Sequence, residues 1–476
     1  MTSAAAVVLL AAGRGTRLRS GVPKVLHSAA GRSLLERSLA TARAVVRETG
    51  GGRLVVVTGP GADDPIAVAV RSAAPEAVTA PQAEPRGTGD AVRAALPFLE
   101  DATRVVVLPA DVPLLTAKTV LALDGALADH AESPAVFLTA IVLDPSGYGR
   151  VLRDAHGTVV AVVEERDASE REREIPEVNG GVYVFRRAFL EGALARLEPL
   201  NAAEELYLTD VLAMAVESGR PARGFPATRL EELLGVNTRS DLARVEAVFR
   251  TRAAAAAMEA GATLTRPETV TLDETVRIAP DVLLEPFTTL LGATEVGTRS
   301  RIGQGSVLRE TTVGADVTIR PYCVIEEARI GDGAVVGPFA RLREGTDLGP
   351  GVHIGNFVET KKARLHRGAK ANHLTYLGDT EIGERTNVGA GVITCNYDGF
   401  AKHRTVLGRD VFVGSDVQLV APLSVGDGAV IGAGTTVTED VPAGALVTSR
   451  SPQRTTEGGG TAYRERKGAK SGKKEK

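Results

Sequence analysis

An aliphatic residue followed by glycine recurs at intervals of six through the second half of this 476-residue chain. The pairs are Val296-Gly297 then Ile302-Gly303, Ile330-Gly331 then Val336-Gly337, and Leu348-Gly349 then Ile354-Gly355. They continue as Ile382-Gly383 then Val388-Gly389, Leu407-Gly408 then Val413-Gly414, and Val425-Gly426 then Ile431-Gly432. The pattern restarts after eighteen residues, as from Ile330 to Leu348 and from Leu407 to Val425. A six-residue period is the mark of a parallel β-helix, and three hexads per coil make a triangular prism with one aliphatic row stacked inward. Each glycine is expected to permit a tight corner. The register lapses over 394–405, where a loop is expected to leave the prism. Composition agrees with a turn-rich architecture, with 52 glycines, 4% aromatic residues and no tryptophan.

Before residue 260 the pattern differs. Val7–Leu10, Leu54–Thr58, Arg104–Leu108, Val136–Leu143 and Gly181–Phe185 read as strands. Ser33–Arg47, Gly89–Leu99 and Tyr207–Glu217 read as helices, and the alternation predicts an α/β domain with a largely parallel sheet. The run Ala4–Ala12 lacks a positive start and reads as a buried strand rather than a leader. Ser240–Glu259 reads as one helix, capped by Ser240 and stopped by Gly261. The expected domains are therefore 1–238 (α/β), 239–261 (a helical linker arm), 262–450 (β-helix) and 451–476 (a basic tail). Arg464–Lys476 holds seven Lys or Arg and two Glu without hydrophobic period, which predicts disorder.

The net charge of −3 argues against a whole-surface nucleic-acid binder, and no apolar run is long enough to suggest a membrane span. Neither partner is expected. Two cysteines, Cys323 and Cys395, make no disulfide framework, which fits a reducing, cytoplasmic setting.

A glycine-rich loop, Leu10-Ala11-Ala12-Gly13-Arg14-Gly15-Thr16-Arg17-Leu18, follows the first strand, and Pro23-Lys24 follows the loop. Backbone N–H groups of such a loop can approach phosphates, and Arg17 and Lys24 add the positive charge that phosphoryl transfer requires. The loop is neither the dinucleotide fingerprint, since position 18 is Leu, nor a Walker A motif. Asp111, in Pro109-Ala110-Asp111, ends the strand Arg104–Leu108 and suits Mg²⁺, which takes a carboxylate together with substrate phosphates.

These residues resemble the sugar-phosphate nucleotidyltransferase signature. Gly355–Ala363, His373–Asp379 and Ala390–Gly399 extend the resemblance. From about residue 5 to 450 the chain is similar to the bacterial bifunctional N-acetylglucosamine-1-phosphate uridyltransferase/glucosamine-1-phosphate acetyltransferases. That resemblance implies a Rossmann-like nucleotidyltransferase domain, a helical arm and a left-handed parallel β-helix, assembled as a homotrimer. It implies acetyl-CoA-dependent N-acetylation of glucosamine 1-phosphate, then Mg²⁺-dependent uridylyl transfer from UTP, releasing pyrophosphate and UDP-N-acetylglucosamine for cell-wall synthesis. In the acetyl site the resemblance implies His373 as general base, Arg343 and Lys361 on the sugar phosphate, and Tyr376 and Asn387 on the sugar. It places Ala390, Asn396, Tyr397, Ser415, Ala433 and Arg450 along acetyl-CoA, with Lys402 beside that groove. In the first domain it implies Leu10–Gly13, Arg17 and Lys24 around the phosphates, and Gln82, Gly87 and Thr88 at the uracil. Gly149, Glu164 and Asn179 would meet the sugar, and Asp111 and Asn237 the metal.

A neutral imidazole can take the proton an amine loses as it attacks a thioester, and Arg and Lys are natural partners of a phosphate dianion. The uracil segment departs from the usual Leu-Gly-Thr-Gly-His-Ala: it reads Arg86-Gly87-Thr88-Gly89-Asp90-Ala91. Other departures are Pro109-Ala110 before Asp111, Asn179-Gly180-Gly181, and Asn372 before His373. A competing reading makes His353, His366 and His373 zinc ligands of a hydrolase, which would need three ligands around an open position.

Overall fold

The computed structural model describes residues 4–13, 15–99, 102–199, 201–449 and 452–471. The chain forms two compact units, dividing after Arg252.

The first unit is built on a nine-stranded sheet. Ala5–Leu10 lies at its centre, parallel to Leu54–Thr58 on one side and to Arg104–Pro109 on the other. Val78–Pro81 extends the parallel part beyond Leu54–Thr58. On the far side the ten-residue strand Glu177–Arg186 runs antiparallel to both Arg104–Pro109 and Ala135–Ile141. Strands buried on both faces read as unbroken apolar runs, which is why Ala5–Leu9, Leu54–Val57 and Val105–Leu108 are all fully covered. Helix Leu34–Glu48 is fixed by a capping box in which Ser33 accepts from the Glu36 amide and Glu36 accepts from Ser33. The C-terminal ends of Ala5–Leu10 and Arg104–Pro109 lie side by side, with the Ala110 amide bonding the Leu10 carbonyl at 3.0 Å. That brings the glycine-rich loop beside Asp111.

Two details of helix Arg239–Glu259 differ from expectation. Its cap is Thr238, whose Oγ1 accepts from the Asp241 amide while Asp241 accepts from the Thr238 amide; Ser240 lies inside the helix. Nor is 239–261 a bare linker. Val245 and Phe249 are buried in the first unit with Leu18, Leu34 and Leu114. Ala254 belongs to the core of the second unit.

The second unit is a curled stack of short parallel strands. Successive coils pair 18 or 17 residues apart, as Thr271 with Thr289 and Glu295 with Thr312. Three strands to a coil give the three sides of the prism. All twelve aliphatic residues of the hexad pairs are 3% exposed or less. The expected loop is present: Thr380 pairs with Thr405, 25 residues on, and Tyr397 and Lys402 form an antiparallel bridge within the insertion.

The role of the hexad glycines requires correction. Of the twelve, only Gly337 has positive φ. What the others provide is room: a Cβ at Gly303 would sit 2.6 Å from the Pro321 nitrogen, and one at Gly331 2.7 Å from the Gly349 carbonyl carbon. The left-handed corner residues stand two positions later, as Arg299, Gly305, Gly333, Arg385 and Asp416. The tail differs too. Gly459–Ser471 is helical, in keeping with the helix propensities of Ala462, Arg464, Glu465, Arg466 and Lys467, whose side chains are all exposed.

Gly331→Ala should therefore destabilise the second unit by about 1–3 kcal/mol, the usual cost of overpacking. Gly125→Ala, at an exposed helical site with open space, should stabilise the first unit by about 0.5–1 kcal/mol. Urea unfolding of the two variants checks both signs.

Candidate functional sites

In the first unit the glycine-rich loop, Lys24, Gln82, Gly87, Thr88 and Asp111 line one cavity of about 520 Å³. Leu10–Gly13 form one wall, and the Ala11 amide is tied to the Val57 carbonyl, which fixes the loop to the neighbouring strand. Lys24 Nζ donates to Asp111 Oδ2 at 2.5 Å and to Asn237 Oδ1 at 3.1 Å. One cation thus draws together two oxygens from residues far apart in the sequence of the unit. Asn237 is held for this by its amide, which donates to Asp241 Oδ2 at the start of helix Arg239–Glu259. Arg17 is exposed on the same loop and is not among the cavity-lining residues.

The segment 82–90 is pinned by backbone bonds to 206. The Gly89 amide donates to the Leu206 carbonyl, and the Leu206 amide donates to the Arg86 carbonyl. Gly87 has φ +110°, and a Cβ there would lie 2.5 Å from the Leu206 oxygen, so only glycine fits. Thr88 Oγ1 accepts from the Leu208 amide at 3.0 Å. Glu205, which no sequence motif singled out, also lines the cavity.

Gly149, Glu164 and Asn179 also come together. The Asn179 amide donates to the Gly149 carbonyl, and a Cβ on Gly149 would lie 3.4 Å from Glu164 Oε2. Asn179 Nδ2 donates to the Tyr183 hydroxyl at 2.7 Å. Thr209 Oγ1 donates to Glu164 Oε1. Burial pushes the Glu164 carboxyl above the ordinary carboxylate range, and Asp167, Asp210 and Glu205 add to the rise.

In the second unit Arg343, Lys361 and Tyr376 stand on one face. The Arg343 amide bonds the Thr360 carbonyl, and Lys361 pairs in register with Gly378. Both cations have carboxylate partners that sequence reasoning missed: Arg343 with Glu359 at 2.8 Å and Lys361 with Glu344 at 2.7 Å. The Lys361 hydrogen bond holds the Glu344 carboxyl below its ordinary range. Gly378 leaves room for the Tyr376 hydroxyl, which would lie 2.5 Å from a Cβ there; Asn396 Nδ2 would lie 2.8 Å from it. Asn396 is buried and donates to Asp379 at 2.5 Å.

His373 is exposed at the next corner, and its Nδ1 lies 3.0 Å from Asn356 Oδ1. Since an amide oxygen only accepts, Nδ1 is the donor in this bond, which in a neutral imidazole leaves the lone pair on Nε2. Asn387 pairs with Lys370 on the same face as Asn356 and His373. Ala390, Ser415 and Ala433 occupy equivalent places on successive coils, linked through the Asp416 amide to Ala390 and the Gly434 amide to Ser415. Tyr397 is exposed on the inserted loop with Lys402, its hydroxyl donating to Gly399. The loop is braced by Asp398, which accepts from the Phe400 and Ala401 amides and lies 2.7 Å from His403 Nε2. These bonds hold the Asp398 carboxyl well below its usual range. Arg450 lies outside the described residues.

The zinc reading is not supported by the arrangement. His366 bonds Glu381 and His373 bonds Asn356, and no group of three metal-ligating His, Cys, Asp or Glu occurs among the described residues. No helix among them is long and apolar enough to cross a membrane.

Residues 7–207 match the MobA-like NTP transferase domain, and residues 404–439 match the bacterial transferase hexapeptide (six repeats). Among curated relatives, the bifunctional protein GlmU of Acidithiobacillus ferrooxidans is 46% identical over 451 residues, covering 94% of this chain and 96% of the relative. The bifunctional protein GlmU of Sorangium cellulosum is 45% identical over 463 residues, covering 96% of each.

The burial of Glu164 carries a pH signature. A carboxyl that holds its proton more tightly when folded costs nothing below its ordinary range, and its penalty grows as pH rises. Glu164→Gln should therefore raise the melting temperature near pH 8 and leave it nearly unchanged near pH 4. Scanning calorimetry of the two proteins at both pH values checks the sign.

Proposed function

We propose residue roles from a plain premise: the chain belongs to the GlmU family of bifunctional proteins and makes UDP-N-acetylglucosamine by acetyl transfer and then uridylyl transfer. The observation that supports the acetyl assignment is the pair Asn356–His373 at the corner that leads into strand Tyr376–Ile382, whose face also carries Arg343 and Lys361. Arg343 and Lys361 hold the phosphate of glucosamine 1-phosphate, exchanging Glu359 and Glu344 for it. Tyr376 and Asn387 hold the sugar. His373 Nε2 takes the proton as the amine nitrogen attacks the thioester carbonyl, the C–S bond breaks and the thiol of coenzyme A leaves. Ala390, Ser415 and Ala433 form a small-residue track for acetyl-CoA, closed by Asn396 and Tyr397, and Arg450 is assigned to the same co-substrate.

In the uridylyl site the sugar-phosphate oxygen attacks the α-phosphorus of UTP and pyrophosphate leaves. Leu10–Gly13 cradle the phosphates, Arg17 and Lys24 offset their charge, and Gln82, Gly87 and Thr88 meet the uracil. Gly149, Glu164 and Asn179 meet the acetylated sugar. Asp111 and Asn237 would hold Mg²⁺; their oxygens both reach the Lys24 ammonium, a set of hard donors that suits that ion. When bound, Mg²⁺ supplies charge that stabilises the transferring polyphosphate.

Two variants test the assignment together. His373→Ala should slow thiol release by roughly 10²–10⁴-fold, the usual worth of a general base, and spare pyrophosphate release from supplied N-acetylglucosamine 1-phosphate. Asp111→Asn should do the reverse, slowing pyrophosphate release by roughly 10²-fold or more. Near-wild-type acetylation by the first variant, or pyrophosphate release by the second, would remove that residue from its role.

Three chains are proposed to share the acetyl groove. Tyr322, Phe339 and Phe357 form an exposed stacked ladder with centroids 5.4 Å apart, an apolar edge suited to a second copy. Light scattering should give the mass of three chains, and dilution below the dissociation range should lower acetylation per chain but not uridylyl transfer. A fully active monomer would overturn the shared groove. The setting is proposed to be the cytoplasm.

A further inference from the structure

Asp90 is bonded to Gln82, a residue that lines the nucleotide cavity. It is a buried carboxylate, 7% exposed, in the first turn of helix Thr88–Ala95, where the helix N-terminus favours negative charge. Its two oxygens are divided. Oδ1 accepts from the Arg86 guanidinium at 3.0 Å, and Oδ2 accepts from Gln82 Nε2 at 2.9 Å. The same Gln82 nitrogen is 3.3 Å from the Gly87 carbonyl oxygen. Gln82 is itself 5% exposed and lines the cavity.

A glutamine amide can turn over, exchanging a pair of donors for an acceptor at the same place. Here it cannot do so without loss. A carboxylate and a peptide carbonyl both only accept, so both amide hydrogens of Gln82 are committed to them. Turning the amide would bring its oxygen against two acceptors in a buried setting, where unpaired polar groups are expensive. The group Gln82 has left to offer a ligand is therefore Oε1, an acceptor.

We propose that Asp90 is a positioning residue for nucleobase choice: it locks the Gln82 amide so that the cavity presents an acceptor to the base, and so selects uracil over cytosine. Uracil carries a hydrogen on N3 and can donate it to Oε1. Cytosine has a lone pair on N3, and two lone pairs would face each other. A site built to hydrogen-bond one partner rejects the analogue that leaves its buried group unpaired. Arg86 completes the device from outside by holding the second carboxylate oxygen, so that Asp90 cannot rotate away from Gln82. This inference rests on the proposed placing of uracil against Gln82.

The test is the ratio of kcat/KM for UTP to that for CTP, read from pyrophosphate release with N-acetylglucosamine 1-phosphate. Asp90→Ala frees the Gln82 amide to turn its donors toward the base, and the UTP:CTP ratio should fall by about tenfold or more. A residue with only a structural role would lower both values and leave the ratio alone. Gln82→Ala should collapse the ratio at least as far. An unchanged ratio in Asp90→Ala together with a collapsed ratio in Gln82→Ala would overturn the role of Asp90 while leaving the uracil site in place. An unchanged ratio in both would overturn the placing of uracil itself. Should Asp90→Ala fail to fold, Asp90→Asn decides in its place: it keeps the shape but can present either a donor or an acceptor to Gln82, so the ratio should fall in the same direction, and an unchanged ratio would count against the proposal.

Discussion

Parallel pairing repeated every 17 or 18 residues determines where each functional side chain of the second unit stands. A residue and its equivalent on the next coil share a face and a corner, so one coil's Asn356 comes beside the next coil's His373. The same pairing stacks Ser415 on Ala390, 25 residues on because the inserted loop intervenes, and Ala433 on Ser415, 18 residues on. That register depends on close backbone approach, since the glycines after the aliphatic row leave no space for a Cβ between coils. The interior row then buries a continuous apolar column, which no single coil could cover by itself. Insertion is tolerated only where it leaves the prism whole, and the loop after Cys395 does so: pairing resumes at Thr405 with the stack unbroken.

The first unit solves a different problem. Its parallel strands deliver loop ends to one edge, and charge organises them. Lys24 draws Asp111 and Asn237 together, and the half-buried carboxylates at Glu164 and Asp210 sit where desolvation raises them. Polar groups in such a cavity have few partners to choose from, so each committed hydrogen bond restricts what the next group can offer a ligand. The set Arg86–Asp90–Gln82 is an instance.

Much of this was legible in the chain. The hexad pairs marked the second fold and its interior row, and every one of those aliphatic residues is buried. The lapse of register over 394–405 marks a real excursion, which leaves the ladder after Cys395 and rejoins it at Thr405. Strands Leu54–Thr58 and Arg104–Pro109 were plain because central parallel strands are apolar throughout. The glycine argument was right in position and wrong in cause, because a repeat cannot distinguish a need for positive φ from a need for space. Glu344 and Glu359 were missed because acids beside a basic motif look like ordinary surface charge. Only the coil geometry turns Glu359 toward Arg343, 16 residues away. Strand Glu177–Arg186 was half seen, since Asn179-Gly180-Gly181 interrupts its apolar run at a bulge. Helix Gly459–Ser471 was hidden by its charge, having no apolar face to give it a period.

The central claim is that one chain carries two sites used in sequence, acetyl transfer first. It is tested most directly by incubating the purified protein with glucosamine 1-phosphate, acetyl-CoA, UTP and Mg²⁺ while following free thiol and pyrophosphate separately. Thiol should appear without delay and pyrophosphate after a lag, and omitting acetyl-CoA should abolish most of both signals. Pyrophosphate released from glucosamine 1-phosphate at full rate without acetyl-CoA, or without a lag in its presence, would contradict the account.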